Sequence, residues 1–239
     1  MSPAVDSPVP DDVPAVRSAV HGDTLAGIGN ARLSDEGTRP VTDAATVKST
    51  LHRYLQKHRA ALVGKLDGLA ERQARWPVTP TGTNVLGVVK HVASVQVEYF
   101  GAVFGRPFPD LPPWMREGAA PDADMYATLD ETVADVVAFH HASAAHADAT
   151  IAALDLDARG VVPWWPEEVR DVTLHRVLVH MAYETARHAG HVDIVREMLD
   201  GLAGDGDGNL ADRSPAAWQD WREHLVGIAE QAGLRSAGL

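Results

Sequence analysis

The chain of 239 residues contains no cysteine. That excludes disulfides, thiolate metal sites and a cysteine nucleophile, and leaves histidine and carboxylate as the good metal ligands. No run of apolar residues is long enough for a membrane span. The opening MSPAVDSPVPDD lacks the basic region and apolar stretch of a secretory signal. With the missing cysteines, this points to a cytoplasmic protein. Positive charge is scarce. Twenty-one Lys and Arg face 33 Asp and Glu, and the formal charge is −12. No basic stripe exists to displace counterions from phosphates, so nucleic acid is excluded as a partner. Alternating apolar and polar residues, the mark of a half-buried strand, are also missing, which leaves an all-α fold.

What the sequence does have is a long helical stretch, DVTLHRVLVHMAYETARHAGHVDIVREMLDG at 171–201. Asp171 or Thr173 can cap its start, and Gly201 can close its end in a left-handed turn. At about 100° per residue, with Glu184 at zero, His191 falls at roughly −20°, His188 at +40° and His180 at −40°. Val177 and Val195 extend this stripe at its two ends, and Leu174, Met181, Val192 and Leu199 flank it. Asp193, Arg196, Glu197 and Asp200 fall on the opposite side. The core-facing stripe is therefore ionisable in its middle and apolar at both ends. Burying such groups unpaired is costly, so something must receive them, and a metal ion suffices. Ordinary hydrogen bonding of the imidazoles is the competing reading. The spacing is not that of the HExxH zinc proteases.

The remaining segments read in order as follows. Residues 1–42, rich in Pro, Asp, Gly and Ser, form a mobile leader with at most a short helix near 13–20. Residues 43–73 give a first helix with Val47, Leu51, Tyr54, Leu55, His58, Leu62, Leu66 and Leu69 as its apolar stripe. Within that stripe His58 is a satisfied core histidine or a group lining a site. Thr83 or Asn84 caps a second, well-buried helix to about residue 105, with His91 in its middle. A Pro-rich crossover loop follows at 105–125, and loops of that length are often functional. A third helix spans 126–154, with Leu129, Val133, Val136, Val137, Phe139 and Ile151 apolar. Its His140, His141 and His146 do not converge on one face, and read as solvated or packing residues. Residues 159–171 form a connector in which Trp164 and Trp165 cap the core or wall a pocket. At 202–214, Asp205, Asp207 and Asn209 invite comparison with a calcium loop. The match fails because Leu210 replaces the required Gly and Ala216 the final Glu, so a flexible turn is expected. Pro215 begins a closing helix through Gln231. The expected organisation is a leader at 1–42, one helical domain at 43–232 and a tail at 233–239.

The segments GTNVLGVVKHVASVQVEYF at 82–100 and DVTLHRVLVHMAYETARHAGHVDIVREMLDG at 171–201 resemble the DinB-like superfamily. Within it, they are similar to the branch that includes mycothiol-dependent maleylpyruvate isomerase. The resemblance covers about residues 45–201. It implies an up-down four-helix bundle with a long crossover loop and, here, an extra C-terminal helix. It further implies a divalent metal, usually Zn2+, between the second and fourth long helices, held by His91, Glu184 and His188. Three protein ligands leave a fourth position open, as a catalytic zinc requires. His180 and His191, one turn to either side, would support the ligands, accept a thiol proton as catalytic groups, or ligate instead. Arg187 would bind the thiol cofactor through a carboxylate or hydroxyl, or form a surface salt bridge.

The function that this resemblance implies is thiol S-transfer. A low-molecular-weight thiol, mycothiol, acts as co-substrate and attacks a small electrophile. A thiol-dependent cis–trans isomerase, a metal-hydroxide hydrolase and a non-enzymatic metal-binding stress-response bundle are the alternatives. The expected partners are a small-molecule thiol and an electrophile, with no nucleic acid and no membrane, in a monomer or homodimer.

Overall fold

The computed structural model describes residues 44–204 and 210–236. The expected leader at 1–42, most of the acidic turn (205–209) and residues 237–239 lie outside the described residues. The described chain falls into two compact units that part between Val195 and Arg196.

The first unit is an all-α bundle. Its long helices are α1 (Ala44–Gly64), α3 (Val85–Phe100), α4 (Val133–Ala153) and most of α5 (Leu174–Asp200). A single turn, α2 (Glu71–Ala74), follows α1. The expected first helix stops at Gly64, and Gly68 adopts φ +76°, a left-handed conformation that suits glycine. Asn84 caps α3 by accepting from Gly87 N at 2.7 Å. Thr173 Oγ1 accepts from Arg176 N at 3.3 Å and so caps α5. Gly201 closes α5 at φ +77°, its N–H on Glu197 O at 2.9 Å.

The second helix ends at Phe100, short of the expected 105, and two further segments depart from the sequence reading. α4 begins at Val133, not 126, because Thr132 and Asp135 form a reciprocal capping box there. Upstream, Arg75 holds the chain in a loop by donating to the carbonyls of Ala127, Thr128 and Glu131. Leu129, expected on the apolar face, is 95% exposed. The second departure is a two-stranded antiparallel ribbon, β1 (Arg159–Val161) with β2 (Asp171–Thr173). Strands of three residues are too short to show a period of two. Trp165 packs on the core from this ribbon and donates to Tyr99 Oη at 2.9 Å, while Trp164 stays half exposed.

Leu55 of α1, Phe100 of α3, Ala147 and Ile151 of α4, Leu174, Leu178 and Met181 of α5, and Val162 and Val172 beside the tryptophans form one apolar core. The buried stripe of α4 is polar in part: Val136, His140, Ser143, Ala147 and Thr150 recur at four and three. On α1, Tyr54 is exposed, and Arg59 lies in the buried stripe with Leu55 and Leu62.

In the second unit, α5 ends with Arg196 clasping Asp200 from Nε at 2.9 and 3.0 Å. Arg196 is buried, although the helical wheel put it on the polar side. α6 (Pro215–Ser236) runs past the expected Gln231, and Arg213 stacks on Trp218 and Trp221 at 4.6 and 4.7 Å. Among the described residues, no helix is long and apolar enough to cross a membrane.

Burial pushes the His140 imidazole down from 6.5 to about 4, helped by the nearby Arg59 charge. Above pH 6.5 the ring is neutral in both folded and unfolded chains, and its full contribution to stability is present. Between 6.5 and about 4 only the unfolded chain takes up the proton, so stability falls across that window, by on the order of 3 kcal/mol in all. Denaturant titrations should therefore show a steeper loss from pH 7 to 4.5 in the wild type than in His140→Leu. Parallel pH profiles would show that His140 is not held neutral.

Candidate metal centre

Two helices and one loop build the centre. On α3, His91 follows an apolar run whose buried neighbours Val88, Val89 and Val92 fix the helix in the bundle. On α5, Glu184 and His188 are one turn apart and face the same way. His188 Nε2 lies 3.0 Å from Glu184 Oε1, and His91 Nε2 lies 3.9 Å from the same oxygen. The His91 and His188 rings meet edge to face at 4.9 Å. One ligating atom from each of the three residues lies within 4.8 Å of the others. Their side chains keep 20, 24 and 14% exposure, so one side of the cluster opens to solvent.

The third contributor is Asp124 in the crossover loop, a residue that the sequence reading missed. Its Oδ2 lies 2.6 Å from His91 Nδ1. The hydrogen bond from His91 holds the Asp124 carboxyl below the usual carboxylate range. A ring that gives its Nδ1 proton to a carboxylate presents the lone pair of Nε2, the arrangement common behind metal-bound histidines. His188 has no such support: its Nδ1 is buried without a partner. Burial and the neighbouring His91 push the His188 imidazole below its ordinary value, which favours the neutral, ligating form.

α3 pins the loop that carries Asp124. Lys90, fully buried, donates to the carbonyls of Ala123 and Tyr126, each at 2.8 Å, and to Glu131 at 2.7 Å. Its ammonium also sits 4.0 Å over the Trp114 ring. Trp114 in turn donates to Ser94 of α3 at 3.0 Å. A Cβ on Gly87 would lie 1.8 Å from the Met125 carbonyl oxygen, so only glycine lets the loop come this close. The readable signal was a glycine and a lysine inside the otherwise apolar run NVLGVVKHV.

The other expected groups are placed differently. His180 sits between the rings of Tyr99 (4.8 Å) and Trp165 (5.1 Å). Burial lowers its pKa against the pull of the Glu184 charge. His191 is exposed and meets His188 edge to face at 5.3 Å. Arg187 is exposed, reaches Tyr183 Oη at 3.5 Å and is not one of the three clustered groups. His58 is half-buried beside Tyr54, outside the cluster. Glu98, two turns along α3 from His91, is pushed up by loss of water around its carboxyl and by the Asp124 charge.

Two imidazole nitrogens and a carboxylate oxygen, with no sulfur, are a donor set that suits a borderline divalent cation such as zinc. The molecule is thus a helical bundle with a His/Glu/His cluster open on one side. The chain belongs to the mycothiol-S-transferase family, whose profile matches residues 50–201, and so to the DinB-like superfamily. No curated protein matches it.

Gly87→Ala should push the Met125 carbonyl away and pull Asp124 off His91. A stability loss of about 1–3 kcal/mol is expected, together with changed nitrogen chemical shifts for the His91 ring. An unchanged unfolding midpoint with unchanged His91 shifts would contradict this close approach.

Proposed function

We propose that the protein is a metal-dependent S-transferase that joins a low-molecular-weight thiol, of the mycothiol kind, to a small electrophile. The observation that supports this most is the convergence of His91, Glu184 and His188 from two helices, with one side left open. Membership of the mycothiol-S-transferase family supports the choice of thiol. In this reading His91, Glu184 and His188 hold a divalent ion, with Asp124 orienting His91 from behind. The bound ion would stabilise a thiolate and lower the pKa of the incoming thiol.

The chain's own groups then have separate tasks. Glu184 supplies the one negative charge among the ligands and sits between the two imidazoles. The thiol loses its proton to a neutral imidazole at the rim, His191 or His180. The sulfur lone pair forms the new bond to the electrophilic carbon. The electrons of the breaking bond leave with the departing group, and the imidazolium returns the proton to it. Tyr99 and Trp165 around His180 form an aromatic wall that excludes water on that side. Arg187, at the edge of the stripe, would meet a carboxylate or hydroxyl of a bulky thiol. The absence of cysteine from the chain fits a nucleophile brought from outside. A cytoplasmic setting, where small thiols stay reduced, suits the reaction.

Purified protein, incubated with mycothiol and a generic electrophile, should consume both in equal amounts, and a chelator should stop the reaction. Glu184→Ala should lose stoichiometric metal and activity while keeping its helical content. Asp124→Asn should bind metal roughly 10–100-fold more weakly. Full metal occupancy in Glu184→Ala would remove Glu184 from the ligand set. An isomerised electrophile with no net thiol loss would contradict transfer.

A further inference from the structure

α3 reaches solvent along a single line. Of its 16 residues, all but His91, Val95 and Glu98 are buried. Spaced four and three apart, these three share one face of the helix. Glu98 lies about 10 Å along the axis from His91 and about 20° around it. α5 lays a matching line beside this one. His188 and Glu184 meet His91 at one end. At the other, the His180 ring sits 4.8 Å from that of Tyr99, the residue after Glu98. His180, Glu184 and His188 are each half-buried. The two lines run antiparallel and bound a trough that leads from the His91–Glu184–His188 cluster to Glu98.

The fold leaves the Glu98 carboxylate unoccupied: among the described residues, none donates a hydrogen bond to it or forms an ion pair with it. Glu98 is exposed, yet loss of water and the Asp124 charge push its carboxyl up, while the His91 charge pulls it down. The group thus feels both the ring that faces the cluster and the acid behind that ring. An unpaired charge that has lost part of its water is unfavourable, and glutamine would serve the helix as well. A carboxylate only accepts hydrogen bonds, so its partner must bring O–H or N–H groups. Glu98, Asp124 and Glu184 together repel a partner that brings a further anion.

We propose that Glu98 selects the thiol, by accepting hydrogen bonds from hydroxyl groups on an uncharged tail about 10 Å from the sulfur. This rests on the transfer reading, in which the sulfur meets a cation held by His91, Glu184 and His188. The trough then works as a ruler. The body of the thiol lies over Val95 and its tail reaches Glu98. A tail with free carboxylates is turned away by charge, and a shorter thiol leaves Glu98 unpaired. An ammonium on the same molecule is disfavoured by the cation at the other end. No covalent step is added.

The test compares two thiols on the zinc-loaded full chain with one electrophile: mycothiol, whose tail is uncharged and hydroxylated, and glutathione, whose tail carries carboxylates. Glu98→Gln should raise KM for mycothiol about tenfold or more and leave kcat within about a factor of two. The preference for mycothiol over glutathione should shrink by a similar factor. An unchanged KM with an unchanged preference overturns the proposal and leaves the transfer reading standing. A loss in kcat alone also overturns it, because selection acts on binding. If the wild type transfers no thiol, the transfer reading fails, and binding decides the role of Glu98 separately. S-methyl mycothiol, which cannot react, is then titrated into both proteins by calorimetry. It should bind the wild type about tenfold or more tightly than Glu98→Gln. Equal affinities, or no binding to the wild type, overturn the assignment.

Discussion

Lys90 is the strut on which the His91–Glu184–His188 cluster depends. A fully buried ammonium loses its hydration, and burial duly lowers the pKa of this one even as Glu131 pulls it back up. Two loop carbonyls, one carboxylate and the face of Trp114 replace the lost water. Because three of these groups lie between residues 123 and 131, the lysine fixes the crossover loop against α3. Gly87 removes the side chain that would hold the loop off. Asp124 is then carried to His91 by the backbone itself, with no need for a long, flexible side chain. Breaking a buried pair of this kind is strongly destabilising.

From that anchoring the geometry of the cluster follows. The loop orients His91, packing of α3 against its neighbours sets the height of that ring, and α5 presents Glu184 and His188 one turn apart. Glu184 stands between two imidazoles whose Nε2 atoms both point toward it, at 3.0 and 3.9 Å. Two imidazole nitrogens facing one carboxylate oxygen make a small cage with a negative wall, a donor set that suits a divalent cation. The side that Asp124 and the helices do not cover is where the cluster keeps its solvent exposure.

How much of this was legible in the sequence depended on distance along the chain. The α5 stripe could be read because Glu184 and His188 are related by one turn, and its ends because Thr173 and Gly201 use local capping chemistry. Asn84 was legible for the same reason. The meeting of His91 with α5 is a tertiary contact, and periodicity does not encode it; only the family resemblance supplied it. Asp124 sits in an irregular, Pro-rich loop, where no spacing rule applies. The polar stripe of α4 was missed because the reading sought apolar letters, whereas His140, Ser143 and Thr150 hold core positions there. Arg59 was missed on α1 for the same reason, and the 159–173 ribbon because each of its strands spans only three residues.

The central claim is that α3 and α5 together hold one cation through two imidazoles and a carboxylate. X-ray absorption at the zinc edge, on protein loaded with one equivalent of zinc, tests it most directly. The account predicts a shell of nitrogen and oxygen only, at about 2.0–2.1 Å, with outer scattering from two imidazoles that falls to one in His91→Ala. An unchanged two-imidazole signature in that variant, or a wild-type chain that retains no stoichiometric zinc, would contradict it.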